Sequence, residues 1–212
     1  MNCHEPRRSV TALPMKSKLL CATALLFAIH SHGQVLVYEA TLSGPAESPP
    51  NVSPGIGSAT VAYDLGAHTL QVDITFSGLA GTTTASHIHG PTTVAGTGTA
   101  GVATMTPTFV GFPLGTTSGT YSHLFDLTSP LSYNPSFVVA NGGTAASAEA
   151  ALTSAMAAGE TYLNINSNVF PSGEIRGFLT AAVPEPVSTT LATAGALGGL
   201  ALWCRKFRAG TR

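Results

Sequence analysis

Residues 69–76, Thr-Leu-Gln-Val-Asp-Ile-Thr-Phe, decide the fold class of this chain. Leu70, Val72, Ile74 and Phe76 alternate with polar residues along this stretch. Because successive side chains of a β-strand point to opposite faces of the sheet, these four apolar side chains share one face. The alternation predicts a strand that packs one face against a core and turns the other toward solvent.

Similar short runs on both sides of this strand predict a sheet of several strands, separated by Gly- and Pro-rich loops. Residues 66–68 are predicted to form the hairpin turn that precedes the strand at 69–76. The further predicted strands cover residues 35–42, 57–65, 85–89, 117–127, 135–140, 161–166 and 174–180. This number of short strands favours a mostly β protein built as an antiparallel β-sandwich.

One Ala-rich segment, residues 144–158, departs from the β pattern. Thr144 at its start is a good helix N-cap, and Gly159 directly follows its end. These are the ordinary start and stop signals of a helix, so the segment predicts one short helix beside the strands.

The first 33 residues have the organisation of a secretory signal peptide. Four Lys and Arg residues precede an apolar run at residues 19–29, which is too short to favour a membrane-spanning anchor. Ser31 and Gly33 place small residues at the third and first positions before Gln34. The segment therefore predicts export, with cleavage before Gln34.

The C-terminal segment, residues 183–212, has three parts. The motif Pro184-Glu185-Pro186 is followed by an apolar run at residues 187–203, which predicts a transmembrane helix. The basic residues that close the segment are Arg205, Lys206 and Arg208. The arrangement resembles the PEP-CTERM sorting signal of Gram-negative bacteria. The resemblance implies an inner-membrane intermediate, cleavage near the motif by the membrane-embedded protease exosortase, and delivery to the exterior; the alternative is a plain anchor that is never cut.

Charge is distributed very unevenly between the ends and the body, residues 34–182. The body has eight acidic residues and one basic residue, Arg176, which gives a formal charge of −7. All three cysteines lie outside the body, so disulfides do not stabilise it. Because phosphate contacts need Lys or Arg, this charge excludes nucleic acid as a partner.

Two sequence blocks near opposite ends of the body carry a resemblance to a known family. The first is His87-Ile88-His89-Gly90-Pro91, and the second is Gly173-Glu174-Ile175-Arg176-Gly177. Together with Ala40-Thr41-Leu42-Ser43-Gly44, they make residues 38–180 similar to the CHRD domain, first described in the animal protein chordin. The resemblance implies a binding or structural module; growth-factor ligands of chordin do not carry over to a bacterium.

His87 and His89 are the candidate metal ligands. On a strand they point to the same face, and imidazole is a common ligand of copper and zinc. This block and the Gly173–Gly177 block are also similar to copper/zinc superoxide dismutase, a β-sandwich. The predicted sandwich is therefore either immunoglobulin-like or superoxide-dismutase-like. Related domains often have a third His where this chain has Asn166. We expect no cofactor, with hydrogen bonds from both imidazoles to loop carbonyls; copper or zinc is the alternative.

Arg176 is the other candidate site residue. Glu174 is two positions away on the same predicted strand, so we expect a structural ion pair between them, with Glu160 as another candidate partner. The alternative is an anion-binding arginine. No Gly-x-Ser-x-Gly sequence or zinc-type cysteine pair is present in the chain, and we expect no enzymatic activity.

Taken together, the sequence predicts three regions: a signal peptide at 1–33, a CHRD-like β-sandwich at 34–182, and a sorting signal at 183–212. The predicted function is that of an exported, exosortase-sorted protein of the cell surface or extracellular matrix. The alternative is a metal-binding, superoxide-dismutase-like domain. The expected partners are the processing protease, the inner membrane before processing, and exopolysaccharide or surface proteins afterwards.

Overall fold

The computed structural model describes residues 34–182, which form eight strands. The strands are β1 (Val35–Ser43), β2 (Ile56–Asp64), β3 (Thr69–Ser77), β4 (Thr83–His89), β5 (Gly119–Asp126), β6 (Tyr162–Ser167), β7 (Ile175–Phe178) and β8 (Thr180–Ala181). Two α-helices, α1 (Pro135–Ala140) and α2 (Ala145–Ala157), lie between β5 and β6 in the chain. The predicted mostly β fold is confirmed. The predicted signal peptide at 1–33 and sorting signal at 183–212 lie outside the described residues.

The strands pair antiparallel in one sheet, in the order β4-β6-β7-β1-β2-β3-β5, with β8 also paired to β1. This corrects the prediction of two packed sheets. The sheet is curled, and the loop at 90–118 connects its two end strands, β4 and β5. Phe109 in this loop donates its N–H to the carbonyl of Ser86 on β4, at 3.2 Å. Its ring contacts Tyr121 and Phe125 on β5, with centroids 5.7 and 5.4 Å away. One curled sheet thus encloses the core that a sandwich would place between two sheets.

Strand β3 behaves as its alternation predicts. Leu70, Val72, Ile74 and Phe76 are at most 2% exposed. All members of the main core cluster lie between Tyr38 and Leu179. The described part of the chain therefore contains its own hydrophobic core, which is what a domain needs in order to fold alone.

Helix α1 replaces the strand predicted at residues 135–140. The side chain of Asn134 caps it by accepting a hydrogen bond from the N–H of Ser136, at 3.0 Å. Pro135 occupies the first helical position, where a missing N–H costs nothing. Val138 and Val139 have high β-propensity, but the cap and the proline determine the local structure here.

Helix α2 confirms the helix predicted at residues 144–158. Thr144 accepts a hydrogen bond from the N–H of Ser147 at 3.1 Å, and the Ser147 hydroxyl accepts one from the N–H of Thr144 at 3.2 Å. This reciprocal pair satisfies two N–H groups at the start of the helix. No helix within residues 34–182 has the length and apolar character needed to cross a membrane.

The connection between β2 and β3 is a tight hairpin, in agreement with the predicted turn. The Asp64 carboxylate accepts hydrogen bonds from the N–H groups of Gly66 and Ala67, at 2.8 and 3.0 Å. His68 completes the turn with φ +54°, the left-handed region that is rare for residues other than glycine. The turn fixes the register that places Asp64 opposite Thr69.

Candidate functional site

A polar cluster lies on the outward face of β4, β6 and β7, opposite the core. The register places His87 opposite Asn164 and Asn164 opposite Arg176, so these three side chains share a face. Their neighbours Ile88 and Leu163 point the other way and are fully buried. We define the polar cluster as Glu47, His87, His89, Tyr162, Asn164 and Arg176. Loops cover it, since all but His89 are less than 9% exposed.

Arg176 binds two of the covering loops to the sheet. Its Nε donates a hydrogen bond to the carbonyl of Ala46 at 2.6 Å, and its Nη1 donates one to the carbonyl of Gly98 at 3.0 Å. The guanidinium carbon lies 4.7 Å from the centroid of the Tyr162 ring. This cation–π contact is favourable because the guanidinium is withdrawn from water.

Glu47, and not Glu174, is the carboxylate beside Arg176. The Arg176 Nε lies 3.8 Å from the Glu47 Oε2, and this is its one ion pair with the described residues. Glu174 lies just before β7, directly after Gly173, which has φ +142°. Because Glu174 is outside the strand, its side chain need not point to the same face as that of Arg176. The predicted Arg176–Glu174 pair is therefore corrected. The other candidate, Glu160, also forms no ion pair with Arg176.

Glu174 instead anchors a different loop from a fully buried position. Its Oε1 accepts a hydrogen bond from the Ser53 hydroxyl at 2.6 Å and one from the N–H of Ala80. Its Oε2 accepts one from the N–H of Gly81 at 3.2 Å. Burial raises the pKa of Glu174, but these bonds and one from Ser167 outweigh it and leave the pKa below its ordinary value.

The pKa of Glu47 shifts in the opposite direction to that of Glu174. Burial raises its pKa to about 7, and the nearby Arg176 and the N–H of Ser48 oppose this shift only in part. Its Oε1 is buried and has no hydrogen-bond partner among the described residues. Glu47 is thus able to gain or lose a proton near neutral pH.

The two histidines bond loop carbonyls, as predicted. His87 donates its Nε2–H to the carbonyl of Pro107 at 2.8 Å, and His89 donates its Nδ1–H to that of Ala100 at 3.0 Å. The His89 ring also stacks on Tyr162, with centroids 4.8 Å apart. Burial lowers the pKa of both imidazoles, so both are neutral at pH 7.

A model of the CHRD domain family matches residues 38–179, which include most of β1, all of β2 to β7, both helices and the whole polar cluster. The chain belongs to the CHRD domain family. Comparison with curated proteins and with solved structures gives no match. The predicted sorting signal at 183–212 lies beyond the family match and stays a prediction.

The CHRD domain does not assemble a complete set of metal ligands around His87 and His89. Within residues 34–182 no three His, Cys, Asp or Glu side chains are grouped closely enough to hold a metal ion. Asn166, at the position of the expected third His, donates its Nδ2–H to the carbonyl of Pro171 at 2.9 Å. Each imidazole has the carbonyl partner that metal-binding histidines commonly have, but copper and zinc sites use at least three protein ligands. The residues present do not fit such a centre.

Unpaired buried atoms are concentrated around the polar cluster. Among the described residues, the buried side-chain atoms without a partner include Glu47 Oε1, His89 Nε2, Asn164 Oδ1 and Asn166 Oδ1. Such atoms are uncommon in folded proteins, and each needs a physical explanation. Two of them, Glu47 Oε1 and Asn164 Oδ1, lie beside Gly173: a Cβ placed there would be 2.7 and 2.8 Å from them.

The CHRD domain contains a second buried polar group, which the sequence analysis did not predict. The carboxylate of Glu149, on the buried face of α2, accepts hydrogen bonds from His68 Nδ1 at 2.9 Å and from the Tyr63 hydroxyl at 3.0 Å. These residues are 81 and 86 positions apart in sequence, so no local motif contains them. The sequence signal that could have indicated this group is the position of Glu149 between Ala148 and Leu152, on the apolar face of the predicted helix.

Proposed function

We propose that this chain is an exported, exosortase-sorted protein of the cell surface or extracellular matrix of a Gram-negative bacterium. Its CHRD domain acts as a non-enzymatic structural and binding module. The observation that supports a structural role is that the buried polar side chains bond to the backbone of loops. Arg176, His87, His89 and Glu174 all bind loop backbone groups, and in doing so they stabilise a scaffold.

The absence of enzymatic activity is supported by the surroundings of these groups. A catalytic histidine needs a nucleophile or another reacting group within hydrogen-bond reach of its ring. Within residues 34–182, the hydrogen bonds of His87 and His89 go to the carbonyls of Pro107 and Ala100, and neither ring bonds a Ser, Thr or Cys side chain.

The exposed face of the sheet supports a polysaccharide as matrix partner. Across β1, β2, β3 and β5 the register aligns Thr41, Ser58, Thr75 and Thr120 in one outward row. All four are exposed. Hydroxyl rows of this kind exchange hydrogen bonds with the hydroxyls of a glycan. Arg176, the one Lys or Arg of residues 34–182, is 5% exposed, so this surface offers no cation to an acidic polymer.

Export follows from the two ends of the chain. The signal peptide at 1–33 directs secretion, and the Pro184-Glu185-Pro186 tail brings the inner-membrane intermediate to the protease. A cysteine-free domain with its own core is compatible with folding outside the cytoplasm.

Cell fractionation of a strain that has an exosortase tests the proposal. The full chain should accumulate in the outer-surface and matrix fractions. A chain that stops after Ala182 keeps the CHRD domain and the signal peptide but should remain in the periplasm. Equal distribution of the two chains among fractions would contradict sorting by the tail.

A further inference from the structure

An apolar groove of about 530 Å³ lies between helix α2 and the end of the sheet formed by β1 and β2. Leu36 and Leu65 line it on the sheet side, and Ala146 and Ala150 line it on the helix side. Leu65 is 54% exposed. Because apolar surface is stabilised when it is withdrawn from water, an apolar group that covers these residues would be held there.

The polar groups of the groove are already paired with one another. The Glu149 carboxylate accepts hydrogen bonds from His68 Nδ1 and from the Tyr63 hydroxyl, and all three residues line the groove. None of the buried polar atoms that lack a partner within residues 34–182 belongs to them. The groove therefore favours an apolar occupant over a charged one.

The last residues that the structure describes lie at the edge of this groove. Strand β8 pairs antiparallel with β1, and directly after it the N–H of Ala182 donates a hydrogen bond to the carbonyl of Val37, at 2.8 Å. One further residue in the same register would place Val183 opposite Leu36, which lines the groove. Helix α2, the other wall, also lies beside β8.

Strand alternation determines the face to which Val183 would point. Ala181 is opposite Tyr38, which faces the core and is 3% exposed. Residues two positions apart on a strand share a face, so Val183 would share the face of Ala181 and Tyr38. This is the face on which Leu36 and α2 form the groove.

Pro184 determines where pairing with β1 must end. It would lie opposite Val35, the first residue of β1, and a proline has no N–H to donate. The chain can then turn from the strand edge, which leaves the apolar ring of Pro184 free to cover the groove beside Leu36. A residue before proline is restricted to extended backbone, as the position of Val183 requires.

We propose that Val183 and Pro184 pack into this groove and hold the motif Pro184-Glu185-Pro186 against the CHRD domain. The groove is then a docking surface for a segment of the same chain, and the motif begins at the surface of the domain. The proposal rests on the proposed function only for the role of the motif in sorting. The packing itself does not depend on export or cleavage.

Two purified chains test the docking: residues 34–186, the expected processed form, and residues 34–182. Both contain the complete core, so both should fold. The longer chain should melt at least about 3 °C higher, because it buries a valine side chain and a proline ring. The NMR methyl signals of Leu36 and Leu65 should also differ between the two chains. Val183→Ser/Pro184→Ser in the longer chain should abolish both differences.

Substitutions in the groove localise the contact. Leu65→Glu on one wall and Ala150→Glu on the other each place a carboxylate where the apolar segment would pack. Each should remove most of the difference in melting temperature between the longer and the shorter chain. Because each variant is measured in both chains, its own effect on folding cancels. Leu124→Glu on β5 is the matched control: Leu124 is 57% exposed, lies outside the groove, and its substitution should leave the difference unchanged.

The proposal is overturned if the longer and shorter chains have the same melting temperature and the same Leu36 signals. It is also overturned if Leu65→Glu and Ala150→Glu both preserve the difference. Methyl signals that instead change with protein concentration in both chains would assign the groove to a second copy of the domain. Because the chains are purified and need no protease, failure here is distinct from failure of the fractionation experiment.

Discussion

The Nε of Arg176 lies 3.8 Å from the Oε2 of Glu47, with both side chains more than nine-tenths buried. The two residues are far apart in sequence and belong to β7 and to the loop after β1. Their contact, together with the bond from Arg176 to the carbonyl of Ala46, fixes that loop over the sheet. The sole cation of residues 34–182 therefore stabilises loop positions.

Truncation of Arg176 should strongly destabilise the CHRD domain. Arg176→Ala leaves the carboxylate of Glu47 and the carbonyls of Ala46 and Gly98 without their donor. Loss of one partner of a buried ion pair costs about 3–5 kcal/mol. For a domain of this size, that loss corresponds to a decrease in melting temperature of about 6–20 °C. Circular dichroism melting curves measure it.

The double variant Arg176→Met/Glu47→Leu is the matched control, because it removes both charges and leaves neither unpaired. It should recover part of the lost stability. A melting temperature of Arg176→Ala equal to that of the unmodified domain would show that the ion pair does not stabilise the loop.

Glu47 should make the domain less stable as the pH rises toward neutrality. Its folded-state pKa of about 7 is above its ordinary value of 4.5, because burial disfavours the charge. The native state thus holds the proton more tightly than the unfolded chain. The resulting stabilisation is fully present below pH 4.5 and is lost as the pH rises through about 7.

Glu47→Gln cannot ionise, so it isolates this effect. The free energy of unfolding of the variant, relative to that of the unmodified domain, should increase from pH 5 to pH 8. Urea titrations at several pH values measure both proteins, and the other titrating groups cancel in the difference. Parallel pH profiles would mean that Glu47 keeps an ordinary pKa.

Glu174 should show the reverse pH dependence and a large cost of substitution. Its pKa is below the ordinary value, so its stabilisation is present above that value and is lost as the pH falls through the lowered pKa. Glu174→Gln replaces one acceptor oxygen by an NH₂ group facing backbone donors. We expect a loss of about 1.5–3 kcal/mol at pH 7 in urea unfolding.

The exposed residue Glu39 provides the control for this substitution. Glu39→Gln should change the free energy of unfolding by no more than about 0.5 kcal/mol. If both substitutions have the same small effect, the hydrogen bonds of Glu174 to Ser53 and Gly81 contribute little to stability.

Purified residues 34–182 should contain no stoichiometric copper or zinc, because His87 and His89 lack a third protein ligand within this region. Elemental mass spectrometry after incubation with each metal and desalting measures the content. A ratio near one metal per chain that disappears in the double variant His87→Ala/His89→Ala would instead support the superoxide-dismutase-like alternative.

Local patterns predicted the strands and α2 well, because their signals are contained in short segments. The alternation at 69–76 gave β3 and its buried face, and Thr144 gave the start of α2. The strand predicted at 135–140 was wrong because the Asn134 cap and Pro135 start a helix there. Six residues are too few for strand and helix periods to be distinguished reliably.

The sheet topology and the polar cluster depend on contacts between distant residues. No local sequence pattern indicates that β4 pairs with β6, or that the loop at 90–118 contacts both end strands of the sheet. The partner of Arg176 was missed for the same reason, since Glu47 lies in a loop whose position depends on the folded sheet. The outward face shared by His87 and His89 was predictable, because it follows from two-residue spacing on one strand.

Intact-mass spectrometry of the protein recovered from the outer-surface and matrix fractions tests the central claim most directly. We expect one species that begins at Gln34 and has lost the residues beyond about Pro186. A full-length polypeptide that is soluble inside the cell with both ends attached, or an intact tail in the outer fraction, would contradict it.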